Sequence, residues 1–510
     1  MILWFFFLLL ALGWMTYSLL QRSIAAKGTT PLWILWLVMM APALIWSLWT
    51  LVYGTQQPMP VALAIVPFLA CPILYWVLLR QSLRNIQRQE NQALGTVQAV
   101  ATEPDGASPA PKVPRPLNQE EEADLNHCFP WSHFALHKVE YRLQAVICQG
   151  QLRSDPSAAY QRIQQNVKAR FGDRFLVLLQ ENFQGQPFFA LVPNPQKTTA
   201  PALDPDPPTA VGSLAPTPIY RPGLALSLLL MTLITTTLIG MVLAGVTPEE
   251  MSTLSDNSVL LLEGLPYSLT LLAVLGCHEF GHFFAARWHK VRTTLPYFIP
   301  IPFFLGTFGA FIQMRSPVPN RKALFDVSIA GPLAGLVVTL PCLWWGLHQS
   351  LVIERSDLSS LLNFESVDPW RSILLALVSR LALGDSLSND VALQLHPVAI
   401  AGYLGLVITA LNLMPVGQLD GGHIVHAMFG QRIGAIVGQV TRLFMLILSI
   451  TQPDLLLWAL LLLFMPVVDE PALNDVSELN NGRDLLGFLC LLLLLLIVLP
   501  APQSLVSWLI

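Results

Sequence analysis

Charge is what this chain lacks. Asp, Glu, Lys and Arg make up only 12% of its 510 residues, while hydrophobic residues make up 54%. A soluble domain carries about 25% charged residues, so this chain cannot cover a water-facing surface along its whole length, and a membrane protein is expected. The formal net charge of −4 leaves no basic surplus and gives no reason to expect nucleic acid as a partner. Six cysteines (Cys71, Cys128, Cys148, Cys277, Cys342 and Cys490) are scattered, with no C-x-x-C pair. That argues against a disulfide frame or a thiolate metal site and leaves them as small apolar side chains. The opening Met1-Ile2-Leu3-Trp4 has no basic stretch, and no small-residue cleavage site follows it, so the first apolar segment reads as a retained span. Internal repeats and coiled-coil heptads are also missing.

What is there is a succession of apolar runs, each long enough for a hydrocarbon core of about 30 Å. The first group is Ile2 to Leu20, Trp33 to Val52 and Val61 to Leu79. The second is Leu224 to Val246, Tyr267 to Trp288, Val327 to Leu347, Pro397 to Met414, Ile433 to Ile450, Leu455 to Val468 and Leu485 to Leu499. The expected fold class is an all-α polytopic membrane protein of about ten transmembrane helices, with a small inserted α/β soluble module. Its expected organisation is three helices in 1–90, a flexible linker in 91–126, the module in 127–195, a proline-rich linker in 196–222 and the membrane core in 223–510. Within the module, Tyr141 to Cys148 alternates like a strand, and Ser154-Asp155-Pro156 opens a helix that Gly172 ends. Phe175 to Leu179 and Phe188 to Val192 read as two further strands, giving β-α-β-β.

Orientation follows from the basic residues. Arg80, Arg84 and Arg88, then Arg221, then Arg287, Lys290 and Arg292 flank spans on one side, whereas the loop with Glu249, Glu250 and Asp256 has none. The positive-inside rule puts the module on the cytoplasmic side and the amino terminus outside.

Chemistry concentrates in Leu275-Gly276-Cys277-His278-Glu279-Phe280-Gly281-His282. On a helix His278 and His282 lie one turn apart on one face, so both imidazoles can reach a single Zn²⁺, with Glu279 beside the water such a metal activates. Ionisable groups at membrane depth are costly and signal a task or a partner; interhelical hydrogen bonding is the plain alternative. A catalytic zinc needs a third protein ligand. In Asn412-Leu413-Met414-Pro415-Val416-Gly417-Gln418-Leu419-Asp420-Gly421-Gly422-His423, Asp420 ends a span on the same side as the histidines. It is either that ligand or the cap of the next helix. His423 reads as an interfacial histidine, with support of the Asp as the alternative. Between the motif and the next span, Leu295 to Met314 is apolar but carries Pro296, Pro300 and Pro302. It is neither a regular helix nor a solvated loop, and a re-entrant loop or hairpin is expected. Gly331-Pro332-Leu333-Ala334-Gly335 reads as a small-residue packing face and Asp326 as a helix-dipole partner.

His278-Glu279-x-x-His282, together with Asn412-x-x-Pro415 and Leu419-Asp420-Gly421, resembles the site-2 protease family of intramembrane zinc metalloproteases. Gly150-Gln151-Leu152-Arg153 resembles the Gly-Asn-Leu-Arg element of one branch, the ethylene-dependent gravitropism-deficient and yellow-green-like proteins of chloroplasts and cyanobacteria, with Gln in second place. The resemblance implies one Zn²⁺ per chain held by His278, His282 and Asp420, with Glu279 as general base and acid and Asn412 stabilising substrate or oxyanion. It further implies membrane-protein substrates cut within their spanning segments, and a bacterial or cyanobacterial plasma or thylakoid membrane. A catalytically silent scaffold or chaperone, and an ion transporter lined by the same polar residues, are the alternatives. Oligomeric state is not readable.

Overall fold

The computed structural model describes residues 32–53 and, with short internal gaps, 119–194 and 221–509. The first apolar run, nearly all of the third, and the segments 91–118 and 196–220 lie outside the described residues. By its internal contacts the chain divides at Pro111. Before it, the described segment is the apolar helix α1 (Leu32–Tyr53).

After it comes a small sheet module. α2 (Gln119–His127) precedes four strands and one helix: β1 (Phe134–Arg142), β2 (Ala145–Leu152), α3 (Pro156–Phe171), β3 (Phe175–Glu181) and β4 (Pro187–Pro193). The sheet order is β1-β2-β4-β3, with every neighbouring pair antiparallel. The Asp155 carboxylate accepts from the Ala158 N–H and caps α3, and Gly172 ends it with φ +60°, as the turn residues dictate. Tyr141 to Cys148, expected as one strand, instead straddles the turn between β1 and β2. Alternation continues across a tight hairpin, so side-chain periodicity alone does not reveal the reversal. α2 falls in the stretch expected as linker, yet its Leu125 is buried in the module's core with Phe134, Ile163 and Phe189.

The remaining helices form the helical core. α4 (Pro222–Leu243), α5 (Leu261–Trp288) and α6 (Arg321–His348) are followed by α7 (Ile373–Leu383), α8 (Pro397–Leu413), α9 (Asp420–Phe429), α10 (Gln431–Thr451), α11 (Leu456–Phe464), α12 (Asn481–Val498) and α13 (Gln503–Leu509). Among the described residues five helices are long and apolar enough to cross a membrane: Pro222–Leu243, Ser258–Trp288, Arg321–His348, Gln431–Ile450 and Asn481–Val498. α8 is shorter and largely buried. α11, with nine residues, rises only about 14 Å at 1.5 Å per residue, half a hydrocarbon core. Two short antiparallel pairs interrupt the helices: the hairpin of β5 (Tyr297–Pro300) with β6 (Thr307–Phe311), and β7 (Leu351–Glu354) with β8 (Val391–Gln394), between which α7 intervenes.

Small residues set the packing around α5. A Cβ on Gly240 would lie 2.4 Å from the Gly264 carbonyl oxygen, and one on Gly281 2.4 Å from that of Ala330, so α4 and α6 press their backbones onto α5. Thr236 and Ser268 hydroxyls add a 2.6 Å bond between α4 and α5. The β5–β6 turn is tied down as well. Gly306 has φ +82°, its carbonyl accepts from Thr235 Oγ1 at 2.7 Å, and Tyr267 Oη donates to Leu305 O at 2.9 Å.

Asp326 is not a dipole partner. It lies beyond the first turn of α6 and pairs with Arg483 through two oxygens (2.7 and 2.8 Å), while His289 Nε2 donates to it at 2.9 Å. The three residues tie the ends of α5, α6 and α12 together.

Candidate metal centre

α5 carries His278, Glu279 and His282, each less than a tenth exposed. The turn after α8 returns the chain so that Asp420, at the start of α9, faces them. That turn depends on glycine: Gly417 has φ +54°, and Cβ atoms on Gly417, Gly421 and Gly422 would lie 2.0, 1.9 and 2.2 Å from backbone oxygens. No side chain fits there.

The result is a convergence of donor atoms. His278 Nε2 and His282 Nε2 are 3.1 Å apart, and Asp420 Oδ2 lies 3.5 Å from the first and 3.3 Å from the second. Asn412, at the end of α8, brings its Nδ2 within 3.1 Å of His278 Nε2. Glu279, Asn412 and the three converging residues line one cavity of about 280 Å³. Ala310, Phe311 and Ile312, at the end of β6, form another wall.

Tautomers decide whether a metal fits. A carbonyl can only accept, so His282 Nδ1–H donates to Val327 O (2.8 Å). That leaves the lone pair on Nε2 and aims it at the convergence point. Two imidazole nitrogens and a carboxylate oxygen within 4.8 Å of one another, with no Lys or Arg in the cavity wall, match the N/N/O donor set of a catalytic zinc. All five residues singled out in the sequence are therefore brought together.

Sequence reasoning missed two features. First, Gly331 and Gly335, read as plain packing, lie directly against the imidazoles. A Cβ on Gly331 would be 2.1 Å from His282 Nε2, and one on Gly335 3.3 Å from His278 Cβ. The spacing Gly331-x-x-x-Gly335 one span beyond the motif was the signal available. Second, α9 carries a buried polar anchor. His426, 1% exposed, has its Nδ1 2.6 Å from Asp469 Oδ2 and its Nε2 3.0 Å from both oxygens of Asp475. His423, which also lines the cavity, has Nδ1 2.8 Å from Asp469 Oδ2. Burial opposes charge on His426, but the hydrogen bonds and charges of Asp469 and Asp475 outweigh it and raise its pKa to about 9. Burial likewise disfavours the Asp469 carboxylate, which the bonds from His423 and His426 nevertheless hold at about 2. His426 is thus an imidazolium that donates from both nitrogens.

Residues 266–450 match the family model of peptidase family M50, and residues 123–200 match that of the EGY3 middle domain. The chain is 37% identical over 242 residues to "Probable zinc metalloprotease EGY1, chloroplastic" of Arabidopsis thaliana, covering 47% of this chain and 44% of that protein. It is 31% identical over 383 residues to the protein of the same name from Oryza sativa subsp. japonica, covering 70% and 63%. To "Probable zinc metalloprotease EGY2, chloroplastic" of Oryza sativa subsp. indica it is 29% identical over 363 residues, covering 70% and 62%. The matched stretches thus span less than two thirds of these relatives' own length. No solved structure matches the chain.

Proposed function

We propose that this chain, which has a peptidase family M50 domain and is homologous to the EGY zinc metalloproteases, is a zinc-dependent endopeptidase that hydrolyses peptide bonds within the membrane-spanning segments of other proteins. The observation that carries this reading is the meeting of His278 Nε2, His282 Nε2 and Asp420 Oδ2 in a cavity that Glu279 and Asn412 also line. His278, His282 and Asp420 would hold the zinc, which when bound supplies a Lewis acid that acidifies water and polarises the scissile carbonyl. Glu279, buried beside the ligands, takes the proton from the attacking water and returns it to the leaving amine nitrogen. Asn412 donates its amide N–H to the oxygen on which charge develops.

A helical peptide bond is shielded by its own hydrogen bonds and has to be unwound before attack. The β5–β6 hairpin adjoins the cavity through Ala310 and Phe311, and an unwound substrate segment can add to it as a further strand. In this reading the hairpin enters the membrane from the side of the zinc site, the chain crosses about ten times, and module and metal face the cytoplasm or its equivalent. The soluble module is a gate or a substrate filter.

Detergent-purified protein and its Glu279→Gln variant test the reading on a tagged transmembrane substrate, with bound zinc measured in both. The expected outcome is cutting by the parent chain, loss of at least about 1,000-fold in the variant, and about one zinc per chain in each. Zinc in both with cutting in neither would favour a silent scaffold, and absence of zinc from both would end the metalloprotease reading.

A further inference from the structure

We propose that His426 is a positioning residue for Asp420, and that the soluble module holds His426's partner in place by pairing β3 with Leu473–Asp475, so that docking of the module sets the metal site. The inference rests on the metal reading of Asp420 and adds to it a control that acts through the chain's own backbone.

α9 is a ten-residue helix with Asp420 at its first position and His426 six residues on, about 9 Å along the axis at 1.5 Å per residue. After Asp420 come Gly421 and Gly422, whose backbone packs on the Leu413 and Gly417 oxygens but which offer no side chain to key the rotation of the helix. Rotation of so short a helix about its own axis would carry the Asp420 carboxylate out of reach of His278 and His282. Its apolar residues Ile424, Val425 and Ala427 are buried, but apolar contact is non-directional and fixes rotation poorly. The ion pairs of His426 are directional. Both ring nitrogens are taken by carboxylates from a segment outside the helix, at 2.6 and 3.0 Å, and a buried polar pair of this kind specifies register. His423, one turn after Asp420, reaches the same Asp469. Asp420, His423 and His426 therefore form a stripe that runs from the cavity to Asp469 and Asp475.

Asp475 does not stand alone. Its own N–H donates to Leu179 O at 2.9 Å, and Leu179 N–H donates to Leu473 O at 2.8 Å. Leu179 is in β3, at the edge of the module's sheet, so Leu473–Asp475 extends that sheet. The apolar side of the join is shared too, since Leu473 and Val476 pack against the module's core. On its other side the same segment is held by the core: Leu473 N–H donates to Val318 O and Asn474 N–H to Pro319 O, immediately before the Asn320 cap of α6. Asn474 Oδ1 accepts from the N–H groups of Val476 and Ser477 and fixes the turn. One strand-like segment thus lies between the module and the core, and its third residue holds the helix that carries a metal ligand.

The test uses the full chain, with zinc affinity measured by competition with a chromogenic chelator and coordination geometry by the visible spectrum of the cobalt(II)-loaded protein. His426→Gln and the isosteric Asp475→Asn are each expected to weaken zinc binding about ten- to a hundred-fold and to shift the cobalt bands. Asn474→Ala, which removes the side-chain bonds that fix the turn of this segment, is expected to lower amide-exchange protection at Leu179 and to weaken zinc in the same preparation. Parent affinity and parent cobalt bands in both His426→Gln and Asp475→Asn would overturn the positioning role. Loss of protection at Leu179 with zinc binding unchanged would overturn the module's part in it. A parent chain that binds neither metal would instead refute the metalloprotease reading itself.

Discussion

At the residue scale the site is made by side chains that are absent as much as by those that are present. Gly331 faces His282 so closely that a methyl group there would sit 2.1 Å from the nitrogen that points at the metal position, whereas at Gly335 the same methyl would be 3.3 Å from the His278 Cβ. The first approach is relieved only by moving the His282 imidazole whose Nε2 is proposed to hold the metal; the second asks for a shift of a few tenths of an ångström. Gly331→Ala is therefore expected to lower zinc affinity by at least about a hundred-fold and Gly335→Ala by less than about tenfold, read by chelator competition on the two purified variants. Equal effects would show that the glycines act only as helix-packing contacts. The His-Glu-x-x-His spacing was legible because the i, i+4 relation is a local property of one helix. The roles of Gly331 and Gly335 were not, because which face of α6 meets α5 depends on tertiary register. For the same reason Asp326 was misread: its partners His289 and Arg483 come from elements far away in the sequence.

At the element scale the long apolar helices and the helix of the module followed from hydropathy, caps and glycine stops, whereas short elements did not. α7 and the pair β7–β8 are brief, and β7–β8 is held by contact with distant chain, as in Val367 pairing with Leu393, whereas β1 was hidden because it runs into β2 across a tight turn. α9 is the element on which chemistry and fold meet, and its anchor is pH-sensitive. The folded pKa of His426, about 9, lies above the ordinary histidine value of about 6.5. A raised pKa stabilises the fold fully below about 6.5, and that contribution is lost as pH rises through about 9. The groups facing His426 are Asp469 and Asp475, with Arg321 3.5 Å from Asp475 Oδ1 and His423 on Asp469. The thermal midpoint of the metal-free parent chain is thus expected to fall more between pH 7 and 9.5 than that of His426→Gln, measured by differential scanning fluorimetry. Parallel curves for the two proteins would show that the carboxylates do not hold His426 charged.

At the scale of the whole molecule, composition announced a membrane protein with a polar insert, but not that the insert and the membrane core share a strand. Nothing in Leu473-Asn474-Asp475 suggests a sheet edge, because its partners, Leu179 on one side and Val318 and Pro319 on the other, are supplied by two separate parts of the chain. This arrangement distinguishes two roles for the module. A filter that only screens substrates could be removed with the metal site intact. A module that holds Asp475 cannot, since its removal frees the Asp475 N–H and the Leu473 carbonyl and uncovers Leu473 and Val476 to water. Apolar surface uncovered in this way costs about 25 cal/mol per Å², enough to favour rearrangement of the segment and release of its grip on His426. A chain lacking residues 119–194 is accordingly expected to bind zinc about as weakly as Asn474→Ala and to lose cutting of every transmembrane substrate to a similar degree. Measuring zinc affinity alongside the cleavage rates of two unrelated substrates separates the roles: parental zinc affinity with a changed substrate preference would leave the module as a filter alone.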